Sequence, residues 1–480
     1  MFEPVIGLEI HAQLLTRSKL FCGCAATFGA APNSRTCPVC LGLPGALPVL
    51  NGAAVDLAIT AALALGCTLH PVSVFARKNY FYPDLPKGYQ ITQYDRPLAT
   101  GGEVRWTSAG RDVRVAIDRL HLEEDAGKSL HDVGEGADTF VDFNRSGVPL
   151  VEIVTGPDLR TPADAADFFR RLRALLVAVG ASDGCMEEGS LRCDANVSVR
   201  RVGDTAFGEK VEVKNLNSFR WLERALEYEV TRQTETLLAG QRIRADTRLW
   251  DERTGRTATM RAKEEAHDYR YFAEPDLPPL HILPSRIAQL RQVLPDLPEA
   301  IAARLVADHG LDEDVARRLA DDAGLRWVFE AAAAEVGDSR QAANWVTGEL
   351  VRRMKETGLD AGSLPFGGRD VGRLLRMVDA GRLSATAAKR VLARMLAEGA
   401  SPEEVVEAEG LSQDSSVEGL QSLVAETLSA HPGPVSQFRA GKAAVLGFLI
   451  GKAMKASGGR ANPALVDELV RAWLAGPDGR

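Results

Sequence analysis

Leu191-Arg192-Cys193-Asp194-Ala195-Asn196-Val197-Ser198-Val199-Arg200 alternates without a break. Leu191, Cys193, Ala195, Val197 and Val199 fall on one face, and Arg192, Asp194, Asn196, Ser198 and Arg200 on the other, which is the period of a half-buried strand. The next run repeats the pattern, with Lys210, Glu212 and Lys214 opposite Val211 and Val213. A hairpin through Gly203–Gly208 sets the two polar faces side by side over an apolar core. Such a charged face is either a solvated surface or a binding surface, and this segment alone does not choose between them.

The same alternation opens the chain. In Val5-Ile6-Gly7-Leu8-Glu9-Ile10-His11-Ala12-Gln13, the residues Glu9, His11 and Gln13 share one face, and Ile6, Leu8, Ile10 and Ala12 the other. A carboxylate and an imidazole two apart can share a cation or a proton, although a polar face on an edge strand is the plainer reading. Two further acidic segments can converge on this one. His121-Leu122-Glu123-Glu124-Asp125 follows a strand-like run, Val113–Leu120, and Pro149–Val154 places Glu152 inside an apolar strand. An acid in a buried run must be paired, protonated or bound to metal. Oxygen ligands from several strands with at most one imidazole suit Mg²⁺ holding a nucleotide's phosphates. A salt bridge from Glu152 to Arg145 or Arg119 is the alternative.

Helices interrupt the strands. Thr161-Pro162 supplies an N-cap and a first-turn proline. Phe168, Phe169, Leu172, Leu176 and Val179 then form one stripe, and Gly180 stops the helix. Phe219, Leu222, Leu226, Val230 and Leu237 mark a second helix that ends near Gly240. Beyond Pro295 the composition shifts to Ala, Leu, Arg and Glu at helical spacing, and Glu407–Ser416, rich in acid and serine, reads as a linker. The expected fold is α+β, in three parts: residues 1–295, 296–406 and 407–480. The 480 residues are 45% hydrophobic and 25% charged, with no apolar run long enough to span a bilayer and no basic leader before an apolar stretch. A soluble cytoplasmic protein is expected. The net charge of −8 argues against a general nucleic-acid coat. A local basic patch remains open: no Asp or Glu occurs from Thr427 to Val466, whereas Arg439, Lys442, Lys452, Lys455 and Arg460 do.

Four of the seven cysteines, Cys22, Cys24, Cys37 and Cys40, crowd into one segment. Four thiolates at this spacing can close a structural Zn²⁺ site, and reduced, unliganded thiols are the alternative. Familiar catalytic motifs are missing. Ala126-Gly127-Lys128-Ser129 ends like a phosphate-binding loop, but the glycine required five residues before Gly127 is Leu122. No G-x-S-x-G elbow or H-E-x-x-H pair occurs, and neither a Ser-Lys amidase nor a Cys-His glutaminase nucleophile is evident.

At Lys78–Gln90 (KNYFYPDLPKGYQ) the sequence stops being generic and resembles the B-subunit family of aspartyl/glutamyl-tRNA amidotransferases. The landmarks follow in that family's order: Val5–His11, His121–Lys128 (HLEEDAGK), Val141–Val154 (VDFNRSGVPLVEIV), Met186–Val197 (MEEGSLRCDANV), Glu212–Phe219 (EVKNLNSF), Asp268–Pro278 (DYRYFAEPDLP) and Gly447–Pro463. The resemblance covers almost the whole chain.

It implies a cradle-shaped, mixed and largely antiparallel-sheet catalytic domain carrying the cysteine loop, a helical domain and a small helical tail that binds tRNA. The implied reaction uses ATP and Mg²⁺ to phosphorylate the side-chain carboxylate of Glu or Asp esterified to tRNA(Gln) or tRNA(Asn). Ammonia from a separate amidase (glutaminase) subunit, strapped on by a small third subunit, then displaces phosphate, and the nondiscriminating aminoacyl-tRNA synthetase is a further candidate partner. By resemblance His11, Glu124 and Glu152 are the foremost Mg²⁺ candidates, followed by Glu9 and Asp194. Lys78, Lys87, Arg192 and Lys214, with Asn217, are assigned to phosphate or nucleotide contact or to the mouth of an ammonia channel. Lys442, Lys452, Lys455 and Arg460 are assigned to tRNA phosphates, and zinc to support of the fold. A noncatalytic tRNA-binding scaffold is the competing reading, and convergence of the acids in one cleft discriminates against it.

Overall fold

The structure is a computed structural model that describes residues 1–108, 110–130, 139–262, 269–411, 417–457 and 461–476. The chain divides into two compact units, Met1–Pro298 and Glu299–Arg480.

The first unit is built on a ten-stranded sheet. From one edge its strands run Arg256–Ala262, Asp246–Asp251, Val211–Lys214, Leu191–Arg201, Phe2–Gln13, Pro149–Thr155, Arg111–Glu124, Ala99–Thr100 and Thr68–Leu69, and Glu103–Ser108 pairs with Arg111–Glu124. All these pairings are antiparallel except that of Val211–Lys214 with Asp246–Asp251. The alternation of Leu191–Arg201 is realised: Leu191, Cys193, Ala195, Val197 and Val199 are buried, and the strand pairs with Val211–Lys214 so that Asn196 lies opposite Glu212. The apolar side of the sheet is covered by the helices Pro162–Ala178 and Phe219–Leu238. The Thr161 hydroxyl caps the first by accepting from the Asp164 amide, 3.0 Å away.

Two local expectations need correction. The tract His121–Glu124 does not follow the strand that precedes it but ends it, because backbone pairing with Pro149–Thr155 continues as far as Glu124 opposite Pro149. In the helix Phe219–Leu238 the fully buried stripe includes Glu229 and Gln233 alongside Leu222, Ala225 and Leu226, whereas Phe219, Val230 and Leu237 are only partly buried. Glu229 is tolerated there because Arg232 (2.7 Å), Arg248 (3.0 Å) and the Thr257 hydroxyl surround its carboxylate.

In its described residues the second unit is helical. Its buried side chains form two separate clusters, one from Ile301 to Val406 and one from Leu420 to Leu474. Glu407 and Glu409, expected in a linker, close the helix Pro402–Glu409, and residues 412–416 lie outside the described residues. No described helix is long and apolar enough to cross a membrane.

Candidate active site

Strand register assembles the polar face at the centre of the sheet. His11 lies opposite Glu152 on one neighbouring strand and Arg192 on the other, and Glu152 lies opposite His121. Period two then brings Glu123, two residues from His121, onto the same face. His11 Nε2 is 3.4 Å from Glu123 Oε1 and 3.5 Å from Glu152 Oε2, and His121 Nε2 is 3.2 Å from Glu152 Oε2. Ligand atoms of His11, Glu123 and Glu152 all lie within 4.8 Å of one another. Two carboxylates and one imidazole on three adjacent strands form a donor set suited to a hard divalent cation.

Glu152 also lies 3.9 Å from Arg119 Nη2, the salt bridge that the sequence left as the alternative, so the group's charge is set by its two carboxylates, its imidazoles and that arginine together. Burial alone would lower the His11 pKa, but the hydrogen bond and charge of Glu152 and the charge of Glu123 push it up to about 9. Burial and the neighbouring Glu152 raise the Glu123 carboxyl, while His121 and His11 overcome burial and hold Glu152 well below the usual carboxylate range. Lys78 lies with its Nζ 4.9 Å from the centre of the Tyr269 ring. Burial opposes its charge, yet Glu123 leads the nearby groups that keep its pKa raised.

Glu124 stands apart from this group. It points the other way from the strand end, beside Lys87, and accepts from the Ile91 amide at 2.9 Å. Lys87 and Glu124 line a cavity of ≈ 200 Å³ with Cys22, Cys40 and Gly42. Glu123, not Glu124, shares a face with His11 and Glu152, and His121 packs against Glu152 without entering the three-residue group. Both were visible in the HLEED tract, but only the register with Glu152 distinguishes the two adjacent acids. Glu9 accepts from Asn196 Nδ2 at 2.8 Å, and Asp194 pairs with Lys214 at 2.6 Å, so neither enters the three-residue group. Burial works against the Lys214 charge, but Asp194 and Glu212 raise its pKa.

Arg192 and Asn217 line a larger cavity of ≈ 720 Å³, with Gln13, Lys128, Asn144 and Arg145 as further polar groups and Phe28 and Trp221 as aromatic ones. Asn217 donates to Asn215 Oδ1 at 2.8 Å. Asp125, buried just past the end of the strand Arg111–Glu124, takes Arg192 at 2.9 Å and Gln13 Nε2 at 3.1 Å, with Arg145 3.6 Å away. Arg192 Nε and His121 Nδ1 are buried without a hydrogen-bond partner among the described residues. Unused buried donors are uncommon unless a ligand takes them.

The four cysteine sulfurs also lie within 4.8 Å of one another. The Cys22 hydrogen bond, opposed by burial and aided by the Lys19 charge, lowers Cys40 to about 4, while burial raises Cys24 to about 11. The donor chemistry fits a tetrahedral thiolate site. In the second unit Lys442 and Lys455 are exposed, Lys452 is half-buried over the Phe448 ring, and Arg460 lies outside the described residues.

Comparison with known proteins agrees with the geometry. Residues 4–288 match the family described as the GatB/GatE catalytic domain, and residues 327–474 the GatB domain. The B subunit of the aspartyl/glutamyl-tRNA(Asn/Gln) amidotransferase of Anaeromyxobacter sp. (strain K) is 51% identical over 477 residues, covering 98% of this chain and 99% of the relative. The protein of the same name from Myxococcus xanthus is 49% identical over 473 residues, 98% of each chain. That from Persephonella marina is 46% identical over 474 residues, 98% of this chain and 99% of its own length. Likeness of this degree along nearly the full length places this chain in the B-subunit family of the aspartyl/glutamyl-tRNA(Asn/Gln) amidotransferases.

Proposed function

We propose that the polar face of the sheet phosphorylates the side-chain carboxylate of Glu or Asp carried on tRNA(Gln) or tRNA(Asn), using ATP, and then directs ammonia onto the acyl phosphate. The observation that carries this reading is the convergence of His11, Glu123 and Glu152 from three strands, near a cavity whose lining includes Lys128, Arg145 and Arg192 together with Asp142, Glu187 and Glu188. A carboxylate cannot be displaced by ammonia directly because oxide is a poor leaving group. Attack of a carboxylate oxygen on the γ-phosphorus, with cleavage of its bond to ADP, converts that oxygen to phosphate, which ammonia then expels.

His11, Glu123 and Glu152 would hold Mg²⁺, which would supply charge neutralisation for the transferring phosphoryl group. Arg192, Arg145 and Lys128 bind and orient the nucleotide's phosphates, and Asn217 helps close that cavity. Positioning and charge neutralisation are most of what phosphoryl transfer needs. Lys78, beside Glu123, orients the substrate carboxylate. Lys87 and Glu124 line the path by which ammonia arrives. Asp194 and Lys214 hold each other and stiffen the sheet beside the site. The four cysteines hold Zn²⁺ in a structural role.

The ammonia comes from an amidase (glutaminase) subunit, joined through the small third subunit. Lys442, Lys452, Lys455 and Arg460 contact tRNA phosphates, and the nondiscriminating synthetase delivers the misacylated tRNA in the cytoplasm. The test is release of γ-phosphate from ATP by the chain co-expressed with both partner subunits. Release should require Glu-tRNA or Asp-tRNA and should collapse in Glu123→Gln and Glu152→Gln. ATP turnover that survives both substitutions, or never depends on the tRNA, would leave only a scaffold.

A further inference from the structure

Among the large side chains with almost no solvent exposure in the described residues is that of a lysine, Lys19, at 0%. Its ammonium has three donors, and all three are used: to the Arg35 carbonyl at 2.9 Å, to the Phe143 carbonyl at 3.2 Å and to Cys40 Sγ at 3.6 Å. Two carbonyls satisfy N–H groups but do not cancel a charge, and an uncompensated buried ammonium is costly. Among the described residues no carboxylate pairs with it, so the partner in contact that can carry negative charge is sulfur.

The sulfurs have the complementary deficit. Four thiolates around one divalent cation carry a net charge of two minus, and an N–H or cation against a thiolate is the usual way to stabilise it. We infer that Lys19 is the cationic partner of a four-thiolate metal centre, offsetting one of its two surplus negative charges and fastening the centre to the chain at Phe143. Lys19 is thus a positioning residue. This rests on the cysteine group as a metal site and is independent of the phosphoryl-transfer reading.

The fastening has a destination. Between the two cysteine pairs, the Asn33 amide donates to Asp142 Oδ1 (2.9 Å), Asn33 Nδ2 to the Val141 carbonyl (3.0 Å), and the Arg35 amide to Asn144 Oδ1 (2.7 Å). Phe28 and Gly29 from this loop and Asn144 and Arg145 from the segment it grips line the large cavity together. The loop that carries the cysteines is thus joined to a segment of the cavity's wall by these bonds and by Lys19 at Phe143.

The test uses the full-length chain loaded with Co²⁺ in place of Zn²⁺. Lys19→Met, which keeps the bulk and loses the charge, should weaken metal affinity in chelator competition by about 10–100-fold, the usual range for a partner outside the ligand shell. It should also move the thiolate-to-cobalt charge-transfer absorption to longer wavelength, because without a nearby cation a sulfur electron is easier to remove. Lys19→Arg should restore both in part. Ser146→Ala removes the hydroxyl that holds the Cys40 carbonyl at 3.1 Å without touching charge, and should leave the absorption where it is. An unshifted absorption in Lys19→Met, or an equal shift in Ser146→Ala, would overturn the inference. A measurement on the wild type stands even if Lys19→Met does not fold. With metal bound Lys19 should resist acetylation by an amine-specific reagent, and after the metal is stripped it should be labelled. Continued protection of Lys19 in the folded, metal-free chain would show that it needs no thiolate centre and would equally overturn the inference.

Discussion

Glu123 and Glu124 are neighbours in sequence with different duties, and replacing each by glutamine in turn separates them. Glu123 Oε1 lies 3.4 Å from His11 Nε2 in the three-residue group, whereas Glu124 accepts from Lys87 and from the Ile91 amide. Glu123→Gln keeps the shape and removes one of the two negative charges. A unit charge about 4 Å from a divalent cation interacts by about 8 kcal/mol at an effective dielectric of about 20, much of it offset by stripping water from the cation. Truncating one member of a buried charged pair costs about 3–5 kcal/mol net, which corresponds to about 10²–10⁴-fold in affinity. Calorimetric titration of the chain with Mn²⁺ measures that loss directly. Glu124→Gln instead leaves the Lys87 ammonium, only 7% exposed, without its anion. It should lower the urea midpoint by a comparable free energy and leave Mn²⁺ affinity close to wild type. If Glu124→Gln weakened Mn²⁺ as much as Glu123→Gln, or if Glu123→Gln left it unchanged, the division of the strand into two faces at this point would be wrong.

Burial alone would raise Asp125, but the charges of Arg192 and Arg145 and the bonds from Gln13 and Arg192 hold it below the usual range. Its contribution to stability is present above the unfolded carboxylate pKa of about 4 and is lost as pH falls through the lower folded value. Asp125→Asn should therefore be less stable than wild type at neutral pH, with the gap closing in acid; equal urea midpoints at pH 7 would refute this. Removing Glu229, which is 0% exposed, by Glu229→Ala should cost about 3–5 kcal/mol because Arg232 and Arg248 lose their shared anion. An unfolding shift below about 1 kcal/mol would mean that the two arginines reach solvent. Burial pushes the Cys67 thiol up to about 12, so it should resist alkylation at pH 8 in the folded protein and react once unfolded. Mass spectrometry of the labelled cysteines decides this.

Wherever one element meets one environment, the sequence was sufficient. Period two predicted that the apolar face of Leu191–Arg201 and of the opening strand is buried, because successive side chains must leave a strand on opposite sides, although Ser198 and Val5 are buried on the other side as well. Thr161, Pro162 and Gly180 marked a helix through local backbone chemistry, and the crowding of four cysteines was visible by inspection. The family resemblance added the reaction. Tertiary structure decided what depends on register between segments far apart in the chain. Period two says that Glu123 and Glu124 face opposite ways, but not which of them meets His11 and Glu152; that follows from pairing Glu152 with His121 on one side and His11 on the other. Burial of Lys19 and Glu229 was equally hidden. A charged residue in a strand-poor loop or on a helix reads as solvated until the fold brings it partners, and those partners, Cys40 with Phe143 for one and Arg248 with Thr257 for the other, come from elsewhere in the sequence.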